Sequence, residues 1–261
     1  MDRAAVLRQL ELADRAEAPR LGGMARSHGV VIVSERYWAY AGVDGSIREG
    51  EMPQAPRALR AVPFARGLVR LAASLAPLFK RTGVARGRER LFLIVAVLAP
   101  LALVFAPHWV GLAAGTVTTF ALLGWLLRGR TLYLHGAEHR AIAAAEERRL
   151  VDTWNGVARP SRFSVRCGTN FAALLMPIAV LGGRIWPLPA TAFTPLVVSV
   201  LSLALTMELW LLVQGSRRLA RVVLLPGLGL QRVTTREPQL HETQVALTAV
   251  AAVLRRESAR G

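Results

Sequence analysis

Two long stretches with almost no charged residues constrain this chain more than any other feature of its sequence. Residues 91–127 contain no Lys, Arg, Asp or Glu, and residues 167–216 contain only Arg184 and Glu208. A helix that crosses a membrane needs about 20 consecutive apolar residues, and soluble core helices seldom carry such runs. The two stretches therefore predict a membrane α-helical protein.

Each apolar stretch is too long for one span and is interrupted near its middle. Pro107-His108 separates 91–106 from 109–127, and residues 184–193 separate 170–187 from 193–213. We predict about four transmembrane helices in two hairpins, 91–127 and 170–214. Pro177 lies inside segment 170–187, so this segment either spans the membrane or forms a re-entrant or interfacial helix.

The distribution of basic residues predicts the topology. Of 33 Lys and Arg, all but Arg184 fall in four blocks outside the apolar stretches. The positive-inside rule then places the N-terminus, the 128–169 loop and the C-terminal region 215–261 in the cytoplasm. The net charge of +16 needs no nucleic-acid partner on this interpretation; the expected partners are the lipid membrane and its anionic headgroups.

The region before the first apolar stretch has three parts. Residues 1–20 are typical of a solvated helix, and 21–56 form a small β-rich region with strands near 29–34 and 37–42 around an Asp44-Gly45 turn. The basic segment 57–90 contains an amphipathic pattern at 62–80. That helix either lies in the headgroup layer or packs on the small sheet. A further amphipathic helix is predicted from about residue 241.

The segment HGAEH at 135–139 carries the clearest chemical signal. His135 and His139 are four residues apart, so on a helix they share one face. With Glu138 between them they fit the H-x-x-E-H pattern of metalloenzymes in which the Glu is the catalytic base. We predict a divalent metal, with zinc suited to imidazole ligands. The alternative is a pair of interfacial histidines bonded to phosphates or to backbone.

A third ligand must come from another segment, and two residues are candidates. Glu208 is the one acidic residue in the apolar stretches, which marks it as a functional candidate; the alternative is a Glu that reaches the interface or pairs with an Arg. Cys167 offers a thiolate, whose pKa we expect Arg166 to lower; the alternative is a buried apolar cysteine. Glu146 faces the same way as His139 but lies ~10.5 Å along the helix axis, which suggests an outer-shell or substrate-facing role.

A set of segments covers most of the chain from Leu21 onward: GG and HGV at 22–30, VPFARGL at 62–68, HGAEH at 135–139, Glu146, RCGT at 166–169, Glu208, PGL at 226–228 and TTREP at 234–238. Together they resemble the YqhQ-like family (DUF 1385), bacterial multi-pass membrane proteins predicted to be metal-dependent enzymes. The family's glycine segment usually reads GGQAVMEGV, whereas this chain has GGMARSHGV, with Met24 and His28 in place of Gln and Glu. Ser164 stands where the family often has His. Either His28 replaces a carboxylate ligand or part of the chemistry is lost.

These observations lead to two functional hypotheses. The first is a metal-dependent, hydrolase-like enzyme at the cytoplasmic face of the bacterial inner (plasma) membrane. It has His135 and His139 as metal ligands, Glu138 as base, and Glu208 or Cys167 completing the shell. The second is a non-enzymatic membrane factor whose basic surface binds a protein partner or anionic lipid.

Overall fold

The computed structural model describes residues 2–54, 56–79, 84–85, 87, 89–91, 94–95, 107–126, 128–189, 191, 193–215 and 217–259. The chain forms two compact units. The sheet unit comprises Met1–Gln54, Leu127–Thr169 and Leu228–Gly261, and the helical unit comprises Ala55–Leu126 and Asn170–Gly227.

The secondary structure of the described residues is predominantly helical, with one antiparallel sheet near the N-terminus. The strands are β1 (Gly22–Arg26), β2 (Gly29–Val33), β3 (Tyr37–Gly42) and β4 (Ile47–Glu51). The helices are α1 (Arg3–Asp14), α2 (Arg57–Ala61), α3 (Ala65–Phe79), α4 (His108–Leu126), α5 (Thr131–Glu146), α6 (Leu150–Trp154), α7 (Gly168–Arg184), α8 (Thr194–Gln214), α9 (Arg217–Val223), α10 (Leu225–Thr234) and α11 (Leu240–Ser258).

The sheet is an antiparallel meander in the order β1-β2-β3-β4. Strands β2 and β3 are rich in β-branched and aromatic residues and pair with Val31 opposite Tyr40. Gly45 has φ of +80° in the β3–β4 turn, a conformation that glycine adopts without strain. The predicted strands near 29–34 and 37–42 and the turn between β3 and β4 are confirmed.

The core of the sheet unit lies between one face of the sheet and the helices α5 and α11. Val30 and Ile32 of β2 are fully buried there, as is Val250 of α11. Alanines fill most of the helix positions that face them, because small side chains let two helices and a sheet approach closely. Helix α11 begins where the Glu242 carboxylate accepts the backbone N–H of Gln239 at 2.8 Å, which satisfies one free donor of the first turn. The C-terminal helix predicted from about residue 241 is confirmed.

In the helical unit, α3 packs against α8. A β carbon at Gly67 would stand 2.6 Å from the β carbon of Met207, so the two helix backbones meet closely there. The Glu208 carboxylate of α8 accepts hydrogen bonds from the Arg66 guanidinium and, at 3.0 Å, from the backbone N–H of Phe64. This satisfies the pairing that a buried carboxylate requires.

Helix α8 exposes apolar side chains and buries polar ones. Leu201, Leu205 and Leu212 lie on one stripe of the helix and are 51%, 40% and 67% exposed. Ser202 and Thr206, in contrast, are almost completely buried. The buried face also contains Ala204, Met207 and Val213, so the unusual feature of α8 is the exposed leucine stripe, which a soluble amphipathic helix would turn toward its core.

The predicted fold class, a membrane α-helical protein with about four spans in two hairpins, is wrong. Among the described residues, α8 is the helix that is long and apolar enough to cross a membrane, with a mean hydropathy of 2.2. The predicted third span is α7, whose 17 residues include Pro177 and reach only about 25 Å at ~1.5 Å per residue, short of a ~30 Å hydrocarbon core.

The first predicted hairpin and the predicted topology are the remaining parts of the membrane prediction. Residues 96–106 of the first predicted hairpin lie outside the described residues, and His108–Leu126 is helical. A single apolar helix gives no support for a multi-pass topology or for cytoplasmic placement of both termini. The packed interior of the sheet unit is built from residues outside both apolar stretches.

Candidate metal centre

Helix α5 brings the two histidines of HGAEH together. His135 and His139 are one helical turn apart, and their ring centroids are 4.5 Å apart with the ring planes inclined at 65°. His139 is 2% exposed and His135 is half-buried. The predicted shared face of the two imidazoles on a helix is therefore confirmed.

Cys167 completes a group of three potential ligands. Its Sγ lies 3.2 Å from His135 Nε2, and the ligand atoms of His135, His139 and Cys167 all lie within 4.8 Å of one another. A tetrahedral zinc ion with bonds of about 2.0–2.3 Å holds its ligands roughly 3.3–3.8 Å apart. The three side chains are thus close to the spacing that a metal ion requires.

Two backbone carbonyls fix the orientation of the imidazoles. His135 Nδ1 lies 2.8 Å from the carbonyl oxygen of Thr234, and His139 Nδ1 lies 2.7 Å from that of Arg162. A carbonyl only accepts, so each Nδ1 carries the proton and each Nε2 presents a lone pair. Carbonyl acceptors of this kind are typical partners of metal-binding histidines.

The Nε2 atom of His139 provides the test of whether a metal fits. This atom is buried and has no hydrogen-bond partner. A buried acceptor without a partner costs free energy, and a cation in the space that it shares with Cys167 would satisfy it. Two neutral imidazole nitrogens and one sulfur are a donor set suited to zinc.

The protonation states suit metal binding by the imidazoles. Burial lowers the pKa of His139 to about 3, helped by the neighbouring His135, and it also lowers the pKa of His135. Both rings are therefore neutral at physiological pH. Burial raises the pKa of the Cys167 thiol to about 11, although the Thr169 hydroxyl donates to Sγ at 3.1 Å and favours the thiolate. The expected lowering of this pKa by Arg166 is wrong.

The TTREP segment, 234–238, lies directly on α5. The Arg236 backbone N–H donates to the carbonyl oxygen of Leu132 at 2.9 Å. A β carbon at Gly136 would overlap the Arg236 carbonyl oxygen, so the segment can approach only where α5 has a glycine. This close approach positions the Thr234 carbonyl for His135.

The irregular segment between α6 and α7, which ends at Cys167, is held in place by hydrogen bonds. Gln231 is fully buried and pairs with both backbone groups of Ser164, accepting its N–H at 2.9 Å and donating to its carbonyl at 2.7 Å. Arg162 donates to the Thr235 carbonyl at 2.8 Å, and Arg140 donates to the Pro160 carbonyl at 3.1 Å. The sulfur thus has a defined position before any ligand binds.

Glu138 lies beside the cluster but is directed toward the sheet. A β carbon at Gly23 of β1 would stand 2.8 Å from Glu138 Cγ. The side chain is buried, which raises its pKa to about 8, against a hydrogen bond from the backbone of Ala25 that lowers it. Its charge raises the pKa of Cys167, so the two groups interact electrostatically.

The other predicted site residues lie outside the three-ligand group. Glu146 and Arg166 form an ion pair with each other at the surface. His28 is exposed in the turn between β1 and β2. Glu208 belongs to the helical unit, where Arg66 and the Phe64 N–H occupy its carboxylate.

Sequence reasoning did not find the residues that hold the ligands in place. Thr234 and Arg162 act through their backbone carbonyls, which leave no signature in the residue type. Gln231 carried no recognised motif, and Gly23 was noted only as part of the glycine segment of the family resemblance. The TTREP segment was noted as part of a resemblance, but nothing in its spacing indicated that it lies on α5.

The fold and the cluster define a two-unit helical protein with a small antiparallel sheet and a candidate His-His-Cys metal centre. The chain belongs to the family described as "Protein of unknown function (DUF1385)", whose model matches residues 126–256, half of the sequence. The matched region contains all three candidate ligands and the TTREP segment.

The chain is also similar to the uncharacterized protein YqhQ of Bacillus subtilis (strain 168). The two are 32% identical over 141 residues, which is 49% of this chain and 42% of the relative. The chain thus matches less than half the length of that protein. No solved structure matches this chain.

Proposed function

We propose that this protein binds one divalent transition-metal ion, with zinc as the natural occupant, through His135 Nε2, His139 Nε2 and Cys167 Sγ. The observation that supports this proposal most directly is the buried Nε2 of His139, which has no partner although its Nδ1 is satisfied. A structural role for the histidines alone would leave that atom without a partner in the described protein.

We further propose that the centre is catalytic and hydrolase-like. Three protein ligands leave a fourth position for water or substrate, as in catalytic rather than structural zinc sites. A zinc ion there would polarise a substrate carbonyl or phosphoryl group and lower the pKa of a bound water. Glu138, whose pKa lies at about 8 and whose charge reaches Cys167, is the candidate group for proton transfer.

The burial of the cluster favours a second candidate, a metal centre with a non-enzymatic role. His139 and Cys167 are 2% and 7% exposed, which restricts access by a large substrate. In that case the metal stabilises a factor that binds a protein partner or lipid, and the fourth position is not exchangeable.

We also propose that the protein is associated with a lipid membrane through α8. The exposed leucine stripe of this helix and its buried Ser202 and Thr206 match the pattern expected of a helix that contacts acyl chains. The site's substrate or partner would then be one that is reachable at a membrane.

Elemental analysis of the detergent-purified protein tests the metal proposal. Wild-type protein supplied with zinc should carry about one equivalent, and His139→Ala should lose it while keeping its circular dichroism spectrum. His28→Ala is the matched control, because it removes an exposed imidazole from the same unit. Absence of metal from the wild type, or retention of metal by His139→Ala, would contradict the proposal.

Cobalt substitution separates the two candidate functions. The Co²⁺ form should show a thiolate charge-transfer band that is lost in Cys167→Ser. Added cyanide should change the d–d bands if the fourth position is open. Bands that stay unchanged in cyanide would support the non-enzymatic role.

A further inference from the structure

A cavity in the sheet unit lies between the start of α1, the β3–β4 turn, the end of α6 and the first turns of α11. It encloses about 320 Å³, which is within the size range of small-molecule sites. Its base is buried and apolar, with Val6 and Ala41 beside the ring of Trp154, whereas Arg3 and His241 at its rim are exposed. An apolar base with a few polar groups at the rim is the usual composition of a ligand site.

The walls of the cavity are held in place by contacts within the sheet unit. Gln244 of α11 donates to the Trp154 carbonyl at 3.1 Å, which joins α11 to α6. The Asp14 carboxylate near the far end of α1 accepts the backbone N–H groups of Leu150 and Val151 at 2.9 and 3.0 Å, which joins α1 to α6. The cavity is therefore formed without a ligand, and a ligand need not order its walls.

The charge in the lining comes from Arg3. Its exposed side chain makes no hydrogen bond or ion pair with any residue that the structure describes. None of the described residues that line the cavity is Asp or Glu. A negatively charged ligand group would thus meet an available guanidinium, whose planar fork matches the two oxygens of a carboxylate.

The carboxylates adjacent in sequence to lining residues have other partners. Asp2 and Glu242 accept backbone N–H groups at the starts of α1 and α11, at 2.7 and 2.8 Å. Asp44 accepts the hydroxyl of Ser46 at 2.6 Å. These contacts satisfy the three carboxylates locally and leave the Arg3 guanidinium for a ligand.

We propose that this cavity binds a small organic carboxylate with an apolar body. The carboxylate pairs with Arg3, and the body lies against Val6, Ala41 and the Trp154 ring. A neutral ligand would not use the guanidinium, and an inorganic anion would leave the apolar base uncovered. The cavity contains none of the proposed metal ligands, so this proposal does not depend on the proposed function.

Fluorine NMR of the full chain labelled with fluorotryptophan tests the proposal. Trp154→Phe identifies the Trp154 resonance, and Trp38, which is buried in the same unit and does not line the cavity, is the internal control. Benzoate and isovalerate are titrated in parallel with their neutral amides and with inorganic phosphate. Arg3→Gln removes the cation, and Arg8→Gln, at another exposed position of α1, is the matched control variant.

Both carboxylates should shift the Trp154 resonance saturably in the millimolar range and leave the Trp38 resonance unchanged. Arg3→Gln should weaken this binding about tenfold, because it removes a charge-assisted hydrogen bond, whereas Arg8→Gln should bind as the wild type does. The absence of a saturable shift at Trp154 with either carboxylate would overturn the proposal. So would equally strong binding of the amides or of phosphate, or equal affinities of the Arg3→Gln and Arg8→Gln proteins.

Discussion

Replacing Glu138 by glutamine should remove a strong pH dependence from the stability of the sheet unit. In the folded protein the Glu138 carboxyl keeps its proton until about pH 8, because burial disfavours the ionised form, whereas its ordinary pKa is 4.5. Between these values the unfolded chain has released the proton and the folded chain has not. Raising the pH through this window therefore favours unfolding.

The magnitude follows from the two pKa values. Glu138 should contribute a fall of about 1.4 kcal/mol per pH unit to the free energy of unfolding of the metal-free wild type in the window, and this contribution should level off above about pH 8. The buried neutral histidines oppose it below about pH 6.5, so the contribution is read from the difference between wild type and Glu138→Gln, which share those histidines. The total loss, from 4.5 to about 8, approaches roughly 5 kcal/mol as an upper limit. Glu138→Gln cannot release a proton, so it should match the wild type near pH 4.5 and exceed its stability near pH 8.

Urea unfolding of the chelator-treated protein, followed by tryptophan fluorescence, measures this difference. Trp38 and Trp154 are buried in the sheet unit and report on its unfolding. Glu147→Gln, at an exposed position just after α5, is the control and should keep the wild-type slope. If wild type and Glu138→Gln lose stability in parallel as the pH rises, the buried neutral carboxyl is not the cause and the reasoning is refuted.

Three further predictions concern the metal centre and the core. The metal affinity should rise about tenfold per pH unit between about pH 6 and 9, because the Cys167 thiol, with its pKa of about 11, must release a proton to bind metal. Competition with a chelator measures this affinity, and an affinity that does not change with pH would count against thiolate ligation. Gly136→Ala should lower the free energy of unfolding by about 1–3 kcal/mol or more, because the new methyl group overlaps the Arg236 carbonyl oxygen. It should also weaken metal binding, as measured by the same chelator competition. Leu247→Ala, at a fully buried position of α11, should lower the free energy of unfolding by about 2–5 kcal/mol, and a loss below 1 kcal/mol would indicate that the core repacks.

Local sequence patterns predicted the local structure well. The alternation and turn residues at 29–45 identified β2, β3 and the turn that follows. The four-residue spacing of His135 and His139 gave their common face, and the run at 193–213 gave α8. Each of these features depends on residues that are close in the sequence, where period and propensity carry the information.

Features that depend on distant residues were not predictable in the same way. Arg166 is adjacent to Cys167 in the sequence, yet its guanidinium pairs with Glu146 and burial decides the pKa of the thiol. The carbonyls of Thr234 and Arg162 orient the histidines without any contribution from residue identity. The number of membrane spans was predicted wrongly for a related reason. Composition shows that a segment is apolar, but it does not reveal which apolar segments pack on one another.

The discontinuity of the sheet unit has a consequence for the order of biosynthesis. Val30 of β2 and Val250 of α11 belong to one buried cluster but are separated by most of the sequence, so the hairpins of the sheet leave the ribosome long before the helix that covers them. The same delay applies to His135, which is synthesised well before the Thr234 carbonyl that orients it. During this interval the nascent sheet must keep its apolar face from aggregating, and a metal ion bound as proposed would meet an oriented His135 only after Thr234 has been synthesised.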